Sequence, residues 1–406
     1  MEKKICSIFI LFFLFTSSIF GSELSLNSDK YILYNMNDDK VLLEEKSHEK
    51  SYIASLTKMM SVLVSIENIE SYDKKILLTN EMFSDIEWDV SIAGFKVGDY
   101  VTYNDLLYGA MLPSGADAVN SLAISISGNL NKFVKLMNEK AKELNMKDTN
   151  FANVTGLFDK NNYSTAYDIS LLLKYALKNE KFKEVFSAKK YTSTNNIRMS
   201  STLIYYNNKI NENISYITGS KTGYIDEGGY SLASTATINN VDYLLVTLNA
   251  PGKTSSEHVK DAVNTYQFYS KNYSYQNIVD KEDVVVTLNT KYAKEKTIDI
   301  YSNETIDYYL KNNFDKDKII YEYNGINELS YFDKIGKSLG TITIKYEDEV
   351  LKTFDLVYSS TLTFSLFNFL WINKLFVLIV IMLIMITIIL SKKKKKKRKI
   401  KITRYR

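Results

Sequence analysis

Residues 51–60 read SYIASLTKMM, a serine three positions ahead of a lysine at the head of a run that is otherwise nearly uncharged. From Ile53 to Ile66 the only charge is Lys58, set among Leu56, Met59, Met60, Val62, Leu63 and Val64. A helix apolar nearly all round is a buried helix. A buried ammonium is costly unless paired, and it tends to shed its proton. Residues three apart share a helix face, so Lys58 can reach the hydroxyl of Ser55. A neutral lysine beside a serine is a general base beside a nucleophile. If the helix begins at Ser55, that hydroxyl also feels its positive end. The spacing alone is unselective, because Ser47/Lys50, Ser71/Lys74 and Ser187/Lys190 repeat it in polar, solvated settings. Only the apolar surroundings single out Ser55 and Lys58.

The rest of the chain frames this helix. With 406 residues, 45% of them apolar and only two prolines, there is room for two globular domains and no long proline-rich linker. The formal charge of +4 conceals an uneven distribution. Eleven of the 51 basic residues fall in 392–406, and without that tail and the first 22 residues 38 basic side chains face 46 acidic ones. An acidic body argues against a nucleic-acid partner. The opening MEKKICSIFILFFLFTSSIFGSELS has a short basic segment, an apolar run and then small polar residues, the pattern of a signal peptide over 1–21, cut after Gly21. Cys6, the only cysteine, would leave with it, so the mature chain has no disulfide or thiol chemistry. Near the other end, 375–390 is uncharged and as a helix spans about 24 Å, less than a hydrocarbon core of about 30 Å. Adding FLWIN in front predicts a transmembrane helix over 369–391, with Trp371 at the interface and Lys374 snorkelling. The basic tail 392–406 then reads as the cytoplasmic side, leaving the body outside the cell membrane.

Between these ends the patterning predicts an α+β domain over 22–275. YILYNMNDDKVLLEE reads as two strands about an Asn-Asp-Asp turn, and residues 100–190 read as mainly helical. Thr165 and Asp168 are spaced as a capping box, as are Thr254 and Glu257 ahead of a last helix. GGYSLASTATINNVDYLLVTLNAPG reads as a hairpin turning at Asn239 and Asn240. Over 276–360 short alternating strands, among them DVVVTL, KTIDIYS and KIIYEY, predict a small β domain with no catalytic constellation, a spacer or interaction module.

Two further stretches carry chemistry. In LLYGAMLPSGADAVNSLA a turn at Pro113 presents Ser114 before a helix; alone, it reads as an ordinary N-cap. In ITGSKTGYIDEGGYSLAS, Lys221 and Thr222 lead to Gly223, where a ligand backbone can approach a strand edge; alone, it reads as a solvated lysine before a turn. Taken together and in this order, the three stretches resemble the penicillin-recognising serine enzymes, whose signature is Ser-x-x-Lys, Ser-x-Asn and Lys-Thr-Gly. ASLTKMM, LLYGAMLPSGADA, NVTGLFDKNNYSTAYD and GSKTGYIDEGGYSLASTA look like phrases of one branch, the low-molecular-mass D-alanyl-D-alanine carboxypeptidases. The resemblance covers about 250 residues and implies their fold, an antiparallel sheet with helices, followed by the β domain and anchor.

It also implies roles. Ser55 would attack the D-Ala–D-Ala carbonyl of a peptidoglycan stem peptide and Lys58 would take its proton. Ser114 would relay a proton to the departing D-alanine. Lys221, Thr222 and Gly223 would hold the substrate, and the backbone N–H of Tyr224 would join that of Ser55 around the oxyanion. No cofactor or metal is implied, and β-lactams would acylate Ser55 as covalent inhibitors. Two departures stand out: the motif asparagine is Ala116, and a phrase often written Gly-Leu-His is Gly156-Leu157-Phe158. Asn120, six residues past Ser114, is expected to be rotated away from the same face.

Competing chemistries lack residues. His48 and His258, the only histidines, lie in a charged loop and a capping turn and are expected to be solvated, which disfavours a Ser-His-Asp triad and a zinc site. A class A β-lactamase needs Glu-x-x-Leu-Asn between the second and third motifs; the one match begins at Glu23, ahead of the nucleophile, and Asp159 is the nearest substitute. Ala116 leaves open a weak or inactive penicillin-binding wall protein.

Overall fold

The computed structural model describes residues 24–403 apart from positions 85, 88, 89 and 253. The expected signal peptide and Cys6 lie outside the described residues. After Lys271 the chain divides into two compact units.

The first unit is built on five strands, β1 (Lys30–Asn35), β2 (Lys40–Glu45), β3 (Ile217–Ile225), β4 (Gly229–Ile238) and β5 (Val241–Ala250), in the antiparallel order β2-β1-β5-β4-β3. The β4–β5 turn needs left-handed backbone at both central residues, and Asn239 and Asn240 supply it with φ +52° and +63°. Strand β3, which carries Lys221, Thr222 and Gly223, pairs with β4 alone and forms one edge of the sheet.

Helix α1 (Thr57–Asn68) is buried without a break from Thr57 to Ile66. Its polar side chains are satisfied: Ser61 donates to the Val154 carbonyl (2.8 Å) and Ser65 to that of Ser61 (2.8 Å). Helix α2 (Tyr103–Met111) starts with a reciprocal box between Thr102 and Asp105, and α3 (Ala116–Ser127) stops at Gly128, whose φ of +84° ends the helical path. One core runs through these helices and the sheet, including Ile32, Leu63, Leu107, Leu122, Phe133 and Val246.

The two capping boxes expected elsewhere form only by halves. Thr165 Oγ1 accepts the Asp168 N–H (2.9 Å), but the Asp168 carboxylate turns to the Asp148 N–H and the Thr149 hydroxyl. The Glu257 carboxylate accepts the N–H groups of Thr254 and Ser256 at the head of the helix Glu257–Asn272. A box spacing in sequence does not reveal a nearer donor from another segment.

The second unit holds three small sheets around Ile278, Leu288, Leu329, Ile342, Ile344 and Leu356. Its first strand, Tyr273–Val279, crosses the boundary read at 275/276, because the tyrosine-rich YSYQ carries no turn residue to mark where the preceding helix gives way. Chain beyond 360 is still part of this unit: Leu362 is buried, Thr363 O accepts the Lys294 N–H (2.8 Å), and Asn368 Nδ2 donates to Ala293 O (2.6 Å). Helices then cover Leu366–Ile372 and Lys374–Thr403. The single span expected over 369–391 is therefore interrupted at Asn373, whose amide donates to Phe369 O (2.8 Å) and competes for helix backbone. Lys374–Lys395 is the one helix among the described residues long and apolar enough to cross a membrane; its most apolar 18-residue window has mean hydropathy 2.9.

Candidate active site

Ser55 sits in a single 3-10 turn, Ala54–Leu56, that runs directly into α1. Ala54, just before it, is held at φ +47°, a left-handed conformation that costs an L-residue about 1–2 kcal/mol. Two glycines make room for this turn. A Cβ on Gly156 would stand 1.9 Å from Ala54 O, and Gly156 itself has φ +81°. A Cβ on Gly223 would lie 3.1 Å from both Ala54 Cβ and the Ser55 nitrogen. Gly223 thus lets β3 press against the Ser55 turn, an approach of protein on protein as well as the ligand approach expected from the sequence.

Lys58 is buried and its Nζ lies 3.0 Å from Ser55 Oγ, with a second hydrogen bond to Thr155 O at 2.6 Å. Of the five Ser-x-x-Lys pairs only this one has a buried lysine; Lys50, Lys74, Lys190 and Lys394 are exposed. Burial lowers the Lys58 pKa to about 7, against a small opposing pull from Asp117. Near neutrality a large fraction is therefore free amine with a lone pair for the serine proton. The Thr155 carbonyl that orients it belongs to a loop wound around Asn153, whose Oδ1 accepts the Gly156 N–H (2.7 Å) and whose Nδ2 donates to Leu157 O (3.0 Å).

The second serine is paired with the second lysine. Lys221 is fully buried and donates to Ser114 Oγ (2.9 Å) and to Thr222 O (2.9 Å). Burial, and then the charge of Lys58, hold its pKa well below the ordinary lysine value. Ser114 is not an N-cap: Gly115 takes that position, and Ser114 has φ +65°. This geometry is braced from below by Asp117, whose carboxylate accepts the N–H groups of Ala93 (2.7 Å), Gly94 (2.9 Å) and Phe95 (3.0 Å). A Cβ on Gly115 would come within 2.5 Å of that carboxylate. Thr222 Oγ1 bonds the Thr202 hydroxyl at 2.6 Å.

Ser55, Lys58, Ser114, Thr222, Gly223 and Tyr224 all line one cleft of about 560 Å³, and Ala116 lies in its wall. Six of the seven expected site residues thus share one surface, with Lys221 directly beneath. Asn120 is absent from that lining, but not because the helix turns it away from Ala116. Ser114 lies off the helix, and Asn120 is one turn beyond Ala116 on the same face of α3.

His258 departs from expectation. It is fully buried, stacked on Tyr230 (centroids 5.0 Å) and edge-on to Tyr206 (4.7 Å), and burial holds its pKa at about 3, so it stays neutral. A capping turn in sequence did not reveal that two tyrosines would cover it. His48 is exposed beside Tyr167, and neither histidine lines the cleft. Sequence reasoning missed Thr155, Asn153, Asp117 and Thr202. Thr155 acts through a backbone carbonyl, which has no side-chain signature, although it, Asn153 and Asp117 all stand inside the quoted motif phrases.

Residues 18–252 match the peptidase family described as D-alanyl-D-alanine carboxypeptidase, and 273–363 match the C-terminal domain of penicillin-binding protein 5. The chain is 30% identical to the D-alanyl-D-alanine carboxypeptidase DacF of Bacillus subtilis, over 81% of this chain and 84% of that one. It is 31% identical to a D-alanyl-D-alanine endopeptidase of Pseudomonas aeruginosa, over 58% and 75% respectively. Penicillin-binding protein 5 of Haemophilus influenzae has the same fold, with TM-score 0.62, 21% identity and coverage of 84% of this chain and 99% of that one.

Proposed function

The chain belongs to the D-alanyl-D-alanine carboxypeptidase family of serine hydrolases, which acts in peptidoglycan maturation, and we propose that Ser55 is the acyl-carrying nucleophile. The observation that carries this is the pair of buried lysines, each hydrogen-bonded to a serine hydroxyl within the same cleft. Ser55 Oγ attacks the carbonyl of the D-Ala–D-Ala bond as its proton passes to the neutral Lys58. The resulting oxyanion lies between the backbone N–H groups of Ser55 and Tyr224, donors that contribute about 3–4 kcal/mol each where such holes have been dissected. Collapse breaks the C–N bond, and Ser114, tied to Lys221, relays to the leaving amine the proton that Lys58 took from Ser55, which returns Lys58 to its neutral form. Water then cleaves the ester on Ser55 and regenerates the hydroxyl.

Thr222 and Lys221 hold the terminal carboxylate: Thr222 borders the cleft, and the negative charge of the bound carboxylate favours the protonated form of Lys221 beneath it. The same serine makes the enzyme a target of β-lactams. The basic segment after Lys374–Lys395 supports a catalytic unit outside the membrane with its tail in the cytoplasm. Free D-alanine released from a pentapeptide stem tests the reaction. Release from the wild type and none from Ser55→Ala is expected; equal release from both would remove Ser55 from the mechanism. A cross-linked stem dimer run in parallel separates carboxypeptidase from endopeptidase cleavage.

A further inference from the structure

Lys58 and Ser61, three apart on one face of α1, donate to two successive carbonyls of the loop beside them, Lys58 to Thr155 O (2.6 Å) and Ser61 to Val154 O (2.8 Å). Residues 151–159 form no helix or strand, so side chains give this loop its shape. At its head Asn138 pairs reciprocally with the Phe151 backbone, at 2.8 and 2.9 Å. Further on, the Asn153 amide accepts the Gly156 N–H (2.7 Å) and donates to Leu157 O (3.0 Å). The Gly156 N–H and the Thr155 carbonyl belong to one peptide unit, and in a planar trans peptide they point opposite ways. With Asn153 holding the N–H on one side, the carbonyl is aimed at Lys58 on the other. Gly156, at φ +81°, has the conformational freedom that would otherwise let this peptide turn over. Asn153 does not line the catalytic cleft and so has no contact with what binds there.

Among the described residues the Lys58 amine bonds only Ser55 Oγ (3.0 Å) and this carbonyl. Ala116, in the wall of the same cleft, has no polar side-chain group to offer it. A neutral amine fixed by Cε and by one acceptor has two directions left, one for its second hydrogen and one for its lone pair. Ser55 Oγ takes one of them. When the serine proton arrives, the same carbonyl accepts from an ammonium, and a hydrogen bond to the charged form favours that form.

We propose that Asn153 is a positioning residue for acylation: by locking the Thr155–Gly156 peptide it aims the Lys58 lone pair at Ser55 and supports the ammonium that forms. The inference rests on the reading of Ser55 as nucleophile and Lys58 as its base. The charged groups that act on the Lys58 amine are Asp117 on α3 and Lys221 on β3, and Glu87, Asp226 and Glu227 are exposed on the cleft wall. Asn153 is uncharged, so replacing it with a neutral residue leaves this field as it was.

The test is benzylpenicillin acylation of the full-length protein in detergent, followed between about pH 5 and 9. Its concentration dependence separates an initial dissociation constant from an acylation rate. On the high-pH plateau Asn153→Ala is expected to acylate about 10–100-fold more slowly, part of the 10²–10⁴-fold that a positioned base supplies, with the dissociation constant unchanged. The midpoint of its pH profile should lie about one pH unit below that of the wild type, as for loss of one hydrogen bond to a charged group. Asn138→Ala loosens the same loop at Phe151 and reports a merely structural effect: it should lower the melting temperature and leave the midpoint in place. Asn153→Ser keeps an acceptor for the Gly156 N–H. It should fall between Asn153→Ala and the wild type, and it replaces Asn153→Ala if that chain does not fold. An unchanged rate and midpoint in the folded Asn153 variant, or the same displacement in Asn138→Ala, would overturn the role of Asn153 while leaving Lys58 as the base. A flat wild-type profile would overturn the reading of Lys58 itself, and the role of Asn153 with it.

Discussion

Lys58 is where the chemistry and the electrostatics meet. Its pKa is lowered to about 7 by burial, so protonation below that value removes the base. The rate of penicillin acylation should therefore rise as pH increases through about 7 and level off above it. A flat profile between pH 5 and 9 would mean that another group takes the proton. Lys58→Ala should slow acylation by about 10²–10⁴-fold, the usual worth of a positioned base, while reversible binding remains. Ala116, at the start of α3, stands in the cleft wall where the resembled motif carries asparagine. One amide hydrogen bond contributes about 0.5–1.5 kcal/mol net, so Ala116→Asn should speed acylation about threefold to tenfold. A tenfold loss would show that the wall at Ala116 has no room for the longer side chain.

The elements around Ser55 meet where side chains are missing. Gly156, Gly223 and Gly115 each sit against the backbone or carboxylate beside one of the two cleft serines, and Gly156 is the tightest, with Ala54 O 1.9 Å from its absent Cβ. Gly156→Ala should leave the protein folded but less stable, and cut acylation at least about 100-fold, since displacement of a reacting group by 1 Å costs that much. Thermal melting together with a penicillin-labelling time course checks this. This interlocking explains which parts of the site were legible. The Lys58 helix announced itself by an apolar run broken once, and the paired strands by alternation and Asn-rich turns. The Thr155 carbonyl, the two tyrosines packed on His258 and the left-handed Ser114 were not legible, because each depends on segments distant in sequence meeting in space. The split helix at Asn373 was hidden for a related reason: hydropathy averages over a side chain that bonds its own backbone.

At the scale of the molecule, the second unit extends past the last strand, Glu349–Val357. Leu362 is buried in its core, and Thr363 and Asn368 bond the segment 293–294. A chain ended at Ser360 should thus melt earlier in this unit than one ended after Asn368, while both should be acylated at Ser55 at the full-length rate. Slower acylation in the shorter chain alone would show that the β unit supports the catalytic one. Removal of Lys374–Lys395, the proposed tether, should reduce action on intact wall through lost local concentration, with small peptides unaffected. All of this depends on one covalent event. Intact-mass spectrometry of the full-length protein after benzylpenicillin, followed by peptide mapping, measures it directly. One adduct per chain is expected, on Ser55 and absent from Ser55→Ala; an adduct on any other residue, or a labelled Ser55→Ala protein, would remove Ser55 as the nucleophile.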